Sequence, residues 1–220
     1  MVPPAVVQAL DWSTLERRPG SFVDPALGER HTDLLFSVAL KGGGEALVYV
    51  LFEHQSTPDI LMAYRLLRYQ VRIWESWQGE HPAESTLPAI LPVVFYHGKT
   101  PWSVPRSFEA LLALPPHLSE ALGPHVPRFT YLLDDVTEIP DEVLRARAMT
   151  GLAKLAVACL KHARGNSDIA GILTEWADVL REVVRAPNGL AALALVMRYT
   201  LGSSGFRVGE RSAFGPGLWT

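Results

Sequence analysis

The chain has 220 residues, of which 48% are hydrophobic and 20% are charged, and its formal net charge is −3. This composition supports a packed core and excludes a globally disordered chain. The near-neutral net charge also excludes a uniformly basic nucleic-acid binder, so any contact with nucleic acid has to come from a local basic patch. The single cysteine, Cys159, excludes an intramolecular disulfide, and its apolar surroundings predict a buried thiol in a reducing compartment.

The sequence carries no pattern typical of secretion or membrane insertion. Residues 1–10 lack the basic start and apolar centre of a signal peptide. No apolar run reaches the roughly 18 to 20 residues that span a bilayer. We therefore expect a cytoplasmic protein without a membrane partner.

The first predicted elements are two strands and a long helix. Residues 1–29 carry few structural signals, and the first strand covers residues 33–40. Consecutive glycines then favour a turn, because glycine accepts positive φ without strain. The second strand, residues 46–55, is apolar until Glu53, which is typical of a central strand. A helix follows over residues 60–78. Its apolar positions recur at three and four residues and predict a core-facing stripe made of Ile60, Tyr64, Leu67, Val71 and Trp74.

The middle of the chain predicts shorter elements. Residues 88–97 form a third strand, in which Pro92 favours a bulge or an edge-like position because proline cannot donate to a ladder. Residues 108–114 predict a short helix, and residues 129–133 predict a fourth strand. These elements complete an α/β core over residues 1–138.

From Pro140 onward the periodicity is helical. Residues 141–162 and 168–185 predict two amphipathic helices, and residues 190–201 predict a third. Their broad apolar stripes suit packing or formation of a homo-oligomer. The expected C-terminal organisation is an α-helical region over residues 139–201, followed by a flexible Gly- and Ser-rich tail over residues 202–220.

The first hairpin carries the acidic residues of greatest interest. If the three glycines form its loop, Lys41 faces Glu45 and Asp33 faces Glu53. Directly opposed side chains have Cβ atoms about 4.5–5.5 Å apart, where two carboxylates repel unless a proton or cation lies between them. A divalent cation such as Mg²⁺ would relieve the repulsion, and Gln55 would share the face of Glu53. The prediction depends on register, because a slip of one residue would move Glu53 to the other face.

Several stretches resemble the Rpn family of recombination-promoting nucleases, a YhgA-like transposase type with the PD-(D/E)XK nuclease core. The pattern Asp33…Glu53-x-Gln55 matches that core in the variant where Gln replaces Lys. The matching stretches cover roughly residues 11–200. They are residues 30–36 (RHTDLLF), 48–56 (VYVLFEHQS), 64–69 (YRLLRY), 91–98 (LPVVFYHG) with Pro101-Trp102, and, more loosely, 129–135 (FTYLLDD).

The resemblance implies a restriction-endonuclease-like α/β fold, a mixed sheet with flanking helices. It also implies a Mg²⁺-dependent DNA endonuclease linked to recombination or mobile elements. By position, Asp33 and Glu53 would bind the metal, and Gln55 would take the place of the catalytic lysine. The chain departs from the family pattern at both ends: it lacks a further N-terminal helical segment and the charged C-terminal helices. The N-terminal helix of the core is therefore expected to be missing, which puts activity in question more than fold.

A local basic stripe lies on the predicted helix over residues 60–78. Arg65, Arg68 and Arg72 recur at helical spacing with no acidic residue between Ile60 and Trp74, which makes them candidates for contact with DNA phosphates. Tyr69, beside Arg68, is a further candidate that could hold a ligand through its hydroxyl, but its position favours a packing role. The alternative for the arginines is an ordinary solvated face.

Other readings of the same residues stay open. Asp33 could be a turn or cap residue, and Glu53 could be an exposed strand end. A function of another class also stays open: a truncated, catalytically inactive family member that binds DNA or a protein through the Arg-bearing helix and the C-terminal helices. A hydrolase that uses a carboxylate pair on sugars is less favoured, because a hairpin pair is tightly spaced and no aromatic sugar platform is evident.

Overall fold

A computed structural model describes residues 2–18, 33–53, 58–162 and 169–203 of the chain. The chain divides into two compact units, Met1–Glu138 and Ile139–Thr220, and each buries its own set of apolar side chains. In the part of the chain that is described, no helix combines the length and apolarity needed to cross a membrane. The predicted tail falls outside the described residues beyond Ser203.

The first unit is a five-stranded mixed sheet with helices. The strands lie in the order β1-β2-β3-β4-β5, with β1, β2 and β3 antiparallel and β3, β4 and β5 parallel. The strands are β1 (Leu10–Arg18), β2 (Asp33–Leu40), β3 (Glu45–Glu53), β4 (Ala89–Tyr96) and β5 (Leu132–Asp135). The helices are α1 (Pro4–Ala9), α2 (Met62–Glu80) and α3 (Pro116–Leu122), with short 3₁₀ turns at Glu109–Leu111 and Gly123–His125.

The N-terminal elements were not predicted. The short helix α1 has proline in its first turn, where the missing N–H costs nothing, and the strand β1 follows directly. Only Leu10 of β1 is buried, and the pairing with β2 shifts between Asp11 and Glu16. An irregular edge strand lacks a sustained alternation of apolar and polar residues, which explains the absence of a sequence signal.

The helix α2 buries a different face from the one predicted. Its buried residues are Met62, Ala63, Leu66, Tyr69, Gln70 and Ile73. In contrast, Ile60, Tyr64 and Val71 are 66%, 48% and 42% exposed. Two sets of apolar residues recur at helical spacing on this segment, and periodicity alone cannot tell which set faces the sheet. Leu67 of the predicted stripe packs against the core, but the expectation was wrong for Ile60, Tyr64 and Val71.

The register of the β2–β3 hairpin also differs from the prediction. Ala39 pairs with Glu45, so Asp33 faces Leu51 and not Glu53. The loop is fixed by a hydrogen bond from the Leu40 N–H to the Gly44 carbonyl at 3.0 Å, and Gly44 has a φ of 90° that favours glycine. The Lys41 N–H donates to the Ala9 carbonyl at 2.9 Å instead of joining the β3 ladder.

The strand β4 is an interior strand, although it contains Pro92. It pairs with β3 along its full length, whereas pairing with β5 begins only at Val93. In the described sheet, no strand therefore pairs with the β5 side of β4 at Pro92. Proline is tolerated there because no ladder hydrogen bond needs its missing N–H. The fourth strand was predicted over residues 129–133, but β5 begins three residues later, at Leu132. At Thr130 the chain forms only an isolated bridge to Ser107.

The second unit is helical. The first two predicted helices are each divided in two, whereas the third, predicted over residues 190–201, is slightly longer than predicted. The helices are α4 (Asp141–Ala146), α5 (Gly151–His162), α6 (Ile169–Glu175), α7 (Ala177–Arg185) and α8 (Gly189–Ser203). The first predicted helix is broken after Ala146, since Arg147 adopts an extended conformation with ψ of 143°. The second is interrupted at Trp176, a fully buried residue with ψ of 22°. At Gly189 an added Cβ would lie 1.7 Å from the Val183 carbonyl oxygen, so only glycine fits where α8 begins.

The architecture confirms the predicted fold class. A mixed sheet with the order strand–strand–strand–helix–strand in the chain, followed by a helical C-terminal region, is an α/β restriction-endonuclease-like fold. The β3–α2–β4 connection is the crossover that makes β3 and β4 parallel. It also brings the end of β3, where Glu53 lies, next to the ends of β4 and β5.

Candidate active site

The C-terminal ends of three parallel strands meet at one edge of the sheet. Glu53 ends β3 and pairs with Tyr96 at the end of β4, and Tyr96 pairs with Asp135 at the end of β5. The strand β2 runs antiparallel to β3, so its first residue, Asp33, lies at the same edge. In open α/β sheets ligands bind outside the carboxyl ends of the strands, which makes this edge the candidate site.

The backbone register relates Asp33 to Glu53 diagonally. Asp33 faces Leu51, and Glu53 lies two residues beyond Leu51 on the same strand. Because strand positions two apart share a face, Asp33 and Glu53 occupy positions on one face of the sheet. Diagonal neighbours of this kind are about 7–8 Å apart. The side chains of these two residues, and the whole of Gln55, lie outside the described part of the structure.

Asp135 is a carboxylate at this edge that the sequence analysis did not single out. Its Oδ2 accepts a hydrogen bond from the Trp102 N–H at 2.8 Å. Its Oδ1 accepts from the Thr137 N–H at 3.0 Å and from the Thr137 hydroxyl at 2.7 Å. The bond from Trp102 joins the loop after β4 to the end of β5, and the bonds from Thr137 hold the Asp135 side chain in place. The Asp-x-Thr spacing after an apolar strand could have identified Asp135 from the sequence, because an aspartate side chain commonly accepts a hydrogen bond from the backbone N–H two residues later.

Tyr96 holds the same loop from the end of β4. Its hydroxyl donates to the Thr100 carbonyl at 2.9 Å, and its ring packs edge-on against Trp102 with centroids 4.9 Å apart. Trp102 in turn packs edge-on against Tyr131. Burial raises the pKa of Tyr131 to about 12, so its hydroxyl stays protonated and donates to the Pro105 carbonyl at 3.1 Å. The loop next to the candidate site is thus held by contacts from Tyr96, Tyr131 and Asp135.

The predicted DNA-contacting residues on α2 fall into different environments. The Arg65 side chain is 12% exposed and forms an ion pair with Asp59 at 3.3 Å. Arg68 is half-buried and Arg72 is exposed. Tyr69 is 3% exposed and its ring lies 5.3 Å from that of Tyr49, so it packs in the core and does not lie on a surface open to DNA. Arg68 and Arg72 are the candidates that the fold leaves accessible.

The described side chains offer no alternative to the predicted pair of metal ligands. Among the described side chains no three His, Cys, Asp or Glu residues cluster closely enough to hold a metal ion. His97, a lone histidine, is buried at the end of β4, as a structural role requires. The assignment of Asp33 and Glu53 as metal ligands stays a prediction.

The sequence from residue 1 to residue 191 matches the family described as "Putative transposase, YhgA-like". The chain belongs to this family. The resemblance drawn from short motifs is thereby confirmed over most of the chain, including both strands of the hairpin, the helix α2 and the ends of β4 and β5.

Curated relatives of the chain come from Escherichia coli. It is 32% identical over 181 residues to recombination-promoting nuclease RpnD of strain O157:H7, covering 79% of this chain and 63% of the relative. It is 32% identical over 180 residues to recombination-promoting nuclease RpnA of strain K12, covering 80% and 57%. It is also 28% identical over 193 residues to the inactive recombination-promoting nuclease-like protein RpnE of K12, covering 86% and 58%.

The chain spans about three fifths of the length of these relatives. No solved structure matches it.

Proposed function

We propose that this chain is a metal-dependent endonuclease that hydrolyses phosphodiester bonds in DNA during recombination. The observation that carries the proposal is the shared-face position of Asp33 and Glu53 at the edge where β3, β4 and β5 end. The names of RpnD and RpnA support the same reaction class. A pair of carboxylates at such an edge is the arrangement expected for a cation site.

Asp33 and Glu53 would hold the metal. Carboxylate oxygens are the donors that Mg²⁺ prefers, and the diagonal spacing separates the two charges more than direct opposition would. When bound, Mg²⁺ or another divalent cation would lower the pKa of a water and stabilise negative charge on a phosphate oxygen. Gln55, two residues after Glu53, would orient the attacking water or a phosphate through its amide.

Contact with DNA would come from the basic side of α2. The whole chain carries a net charge of −3, so binding requires a local positive surface. Arg72 is exposed and Arg68 is half-buried one helical turn away. Their guanidinium groups would bind phosphates, which fixes orientation without reading base sequence.

The direct test is nicking of supercoiled plasmid by the purified protein with Mg²⁺ and with EDTA. Loss of a metal ligand removes several kcal/mol of transition-state stabilisation, so Asp33→Asn and Glu53→Gln should each lower nicking by on the order of 100-fold or more. Glu120→Gln, at an exposed site on α3, is the matched control and should nick as wild type does. Equal nicking by Glu53→Gln and wild type would reject the proposed site.

A non-catalytic role is the second candidate, and the relative RpnE, named inactive, is the observation that favours it. A gel-shift experiment on the same plasmid separates the two. Binding that Arg72→Ala weakens, with no nicking at any concentration of divalent cation, would identify a DNA-binding module. Nicking that requires both Mg²⁺ and Glu53 would exclude that role.

A further inference from the structure

The segment that follows β4 is positively charged and contains no acidic residue. Residues 97–106, here called the anchored loop, have the sequence HGKTPWSVPR. Lys99 and Arg106 are exposed, and so are Thr100 and Ser103, whose side chains carry hydroxyl groups. The whole chain has a net charge of −3, so a loop with two cations and no carboxylate is a local positive surface.

The first half of the anchored loop folds over the end of β4, next to the position of Glu53. Glu53 and Tyr96 are partners in the parallel ladder, so their positions share one face of the sheet and lie about 4.7–4.9 Å apart. The Tyr96 hydroxyl lies against Gly98 and donates to the Thr100 carbonyl at 2.9 Å. Lys99, between these two residues, is therefore held at the edge of the sheet where Glu53 lies.

The second half of the anchored loop is fixed against Tyr131. The Tyr131 hydroxyl donates to the Pro105 carbonyl at 3.1 Å, and the Tyr131 N–H donates to the Arg106 carbonyl at 3.2 Å. Burial raises the pKa of Tyr131, and the positive charge of Arg106 opposes that rise, which indicates that the guanidinium lies near the tyrosine. Tyr96 and Tyr131 both pack against the Trp102 ring, so the two halves of the loop lie on the same side of the sheet.

The two cations of the anchored loop have no carboxylate partner among the described residues. Neither Lys99 nor Arg106 forms an ion pair or a side-chain hydrogen bond there. The Asp135 carboxylate, at the same edge, is occupied by two N–H groups and a hydroxyl, and Asp59 is paired with Arg65. An anionic ligand can therefore bind both cations without breaking an internal ion pair, and the anchored backbone loses little conformational freedom on binding.

We propose that the anchored loop binds the phosphate backbone of the DNA strand that is cut, an inference that rests on the proposed function. Lys99 binds a phosphate next to the bond that is hydrolysed, and Arg106 binds a second phosphate farther along the strand. The exposed hydroxyls of Thr100 and Ser103 donate to phosphate oxygens, as serine and threonine commonly do in DNA complexes. The two predicted metal ligands and the DNA are all negative, so a fixed cation beside them reduces the repulsion that DNA meets on approach.

The first test measures how DNA binding by the full chain depends on salt, using fluorescence anisotropy of a labelled duplex in EDTA. Each lost phosphate contact lowers the slope of log K against log salt by about 0.9, so Lys99→Gln and Arg106→Gln should each do so and the double variant about twice as much. At low salt each single variant should bind roughly fivefold more weakly or worse.

The matched control for this test is Lys41→Gln. Lys41 is also an exposed lysine, but it follows β2 at the end of the strand opposite to Asp33, so its variant should keep the wild-type slope. Wild-type slopes in both Lys99→Gln and Arg106→Gln would overturn the inference, and so would a wild type that binds no DNA. Equal melting temperatures of all variants exclude a loss of fold as the cause of weaker binding.

The second test examines plasmid nicking with Mg²⁺ and separates this inference from the proposed reaction. Lys99→Gln should nick roughly tenfold more slowly at subsaturating plasmid, and Lys99→Arg should recover most of the rate because it keeps the charge. Nicking that Glu53→Gln abolishes and Lys99→Gln leaves unchanged would support the reaction and overturn the role of Lys99. DNA binding that depends on Lys99 and Arg106, without nicking by wild type, would reject the reaction and support the anchored loop as a DNA-binding surface.

Discussion

At Gly98 the chain passes directly beneath the side chain of Tyr96. A Cβ at position 98 would lie 1.9 Å from the Tyr96 hydroxyl and 2.2 Å from its Cζ. Only glycine permits the Tyr96 ring to turn back over the chain and reach the Thr100 carbonyl. The conformation of the loop beside the candidate site therefore requires a residue without a Cβ at position 98.

Gly98→Ala should destabilise the protein by about 1–3 kcal/mol, since either Tyr96 or the loop must move. Urea unfolding monitored by tryptophan fluorescence measures the change. Gly79→Ala is the matched control: nothing lies within 4 Å of an added Cβ there, and alanine favours the helix by up to about 1 kcal/mol. Equal stability of the two variants would show that Tyr96 does not occupy the position described.

At the scale of elements, Asp141 joins the helices of the second unit. It lies in the first turn of α4 and accepts hydrogen bonds from Lys161 at 2.5 Å and from His162 at 2.9 Å, both at the end of α5. The Trp176 indole N–H, between α6 and α7, donates to it at 3.0 Å. Burial by itself would raise the pKa of Asp141, but the bonds from Lys161, His162 and Trp176 outweigh burial and hold the pKa below its usual value.

A carboxylate with a lowered pKa stabilises the folded state above its unfolded pKa, and the contribution disappears as pH falls through its folded pKa. The stability of wild type should therefore decline as pH drops below about 4. Asp141→Asn should lose on the order of 1–3 kcal/mol near pH 7 and should show a smaller decline in acid. Thermal unfolding of both proteins from pH 3 to pH 7 tests this, and parallel pH profiles would contradict the assigned role of Asp141.

The helix α2 shows how an element can be predicted well while its orientation is not. Its extent was foreseen to within two residues at each end, because helical periodicity is a local property of the sequence. Its face was not foreseen, because Leu66 and Val71 are equally apolar in sequence. In the structure Leu66 and Ala63 are fully buried, and Val71 is left on the outside.

At the scale of the whole molecule, the proposed metal site predicts a ligand effect on stability. A cation that binds only the folded state stabilises it, by about 2.7 kcal/mol at a hundred times its dissociation constant. Mg²⁺ should therefore raise the melting temperature of wild type and leave that of Asp33→Asn nearly unchanged. A differential scanning calorimetry titration measures both. An equal rise in the two proteins would mean that Mg²⁺ binds elsewhere, whatever the outcome of the nicking experiment.

The sequence alone determined the features that depend on local chemistry. The extent of β2, the glycine turn, the central position of β3 and the helical character after Pro140 all follow from propensities, periodicity and turn residues that act over a few positions. The family motif supplied Asp33, Glu53 and Gln55 as candidate ligands without any structure. The assignment of roles to these residues stays a prediction until the nicking and calorimetry experiments are done.

Only the tertiary structure decided the features that depend on distant partners. In the hairpin, the Lys41 N–H bonds to the carbonyl of Ala9, a residue of the N-terminal segment that carried no signal of its own, and so does not join the β3 ladder. The same dependence decided which face of α2 is buried and where Asp135 lies relative to Glu53. Each of these outcomes is a choice between locally equivalent arrangements, and it is made by the packing energy of residues far apart in the chain.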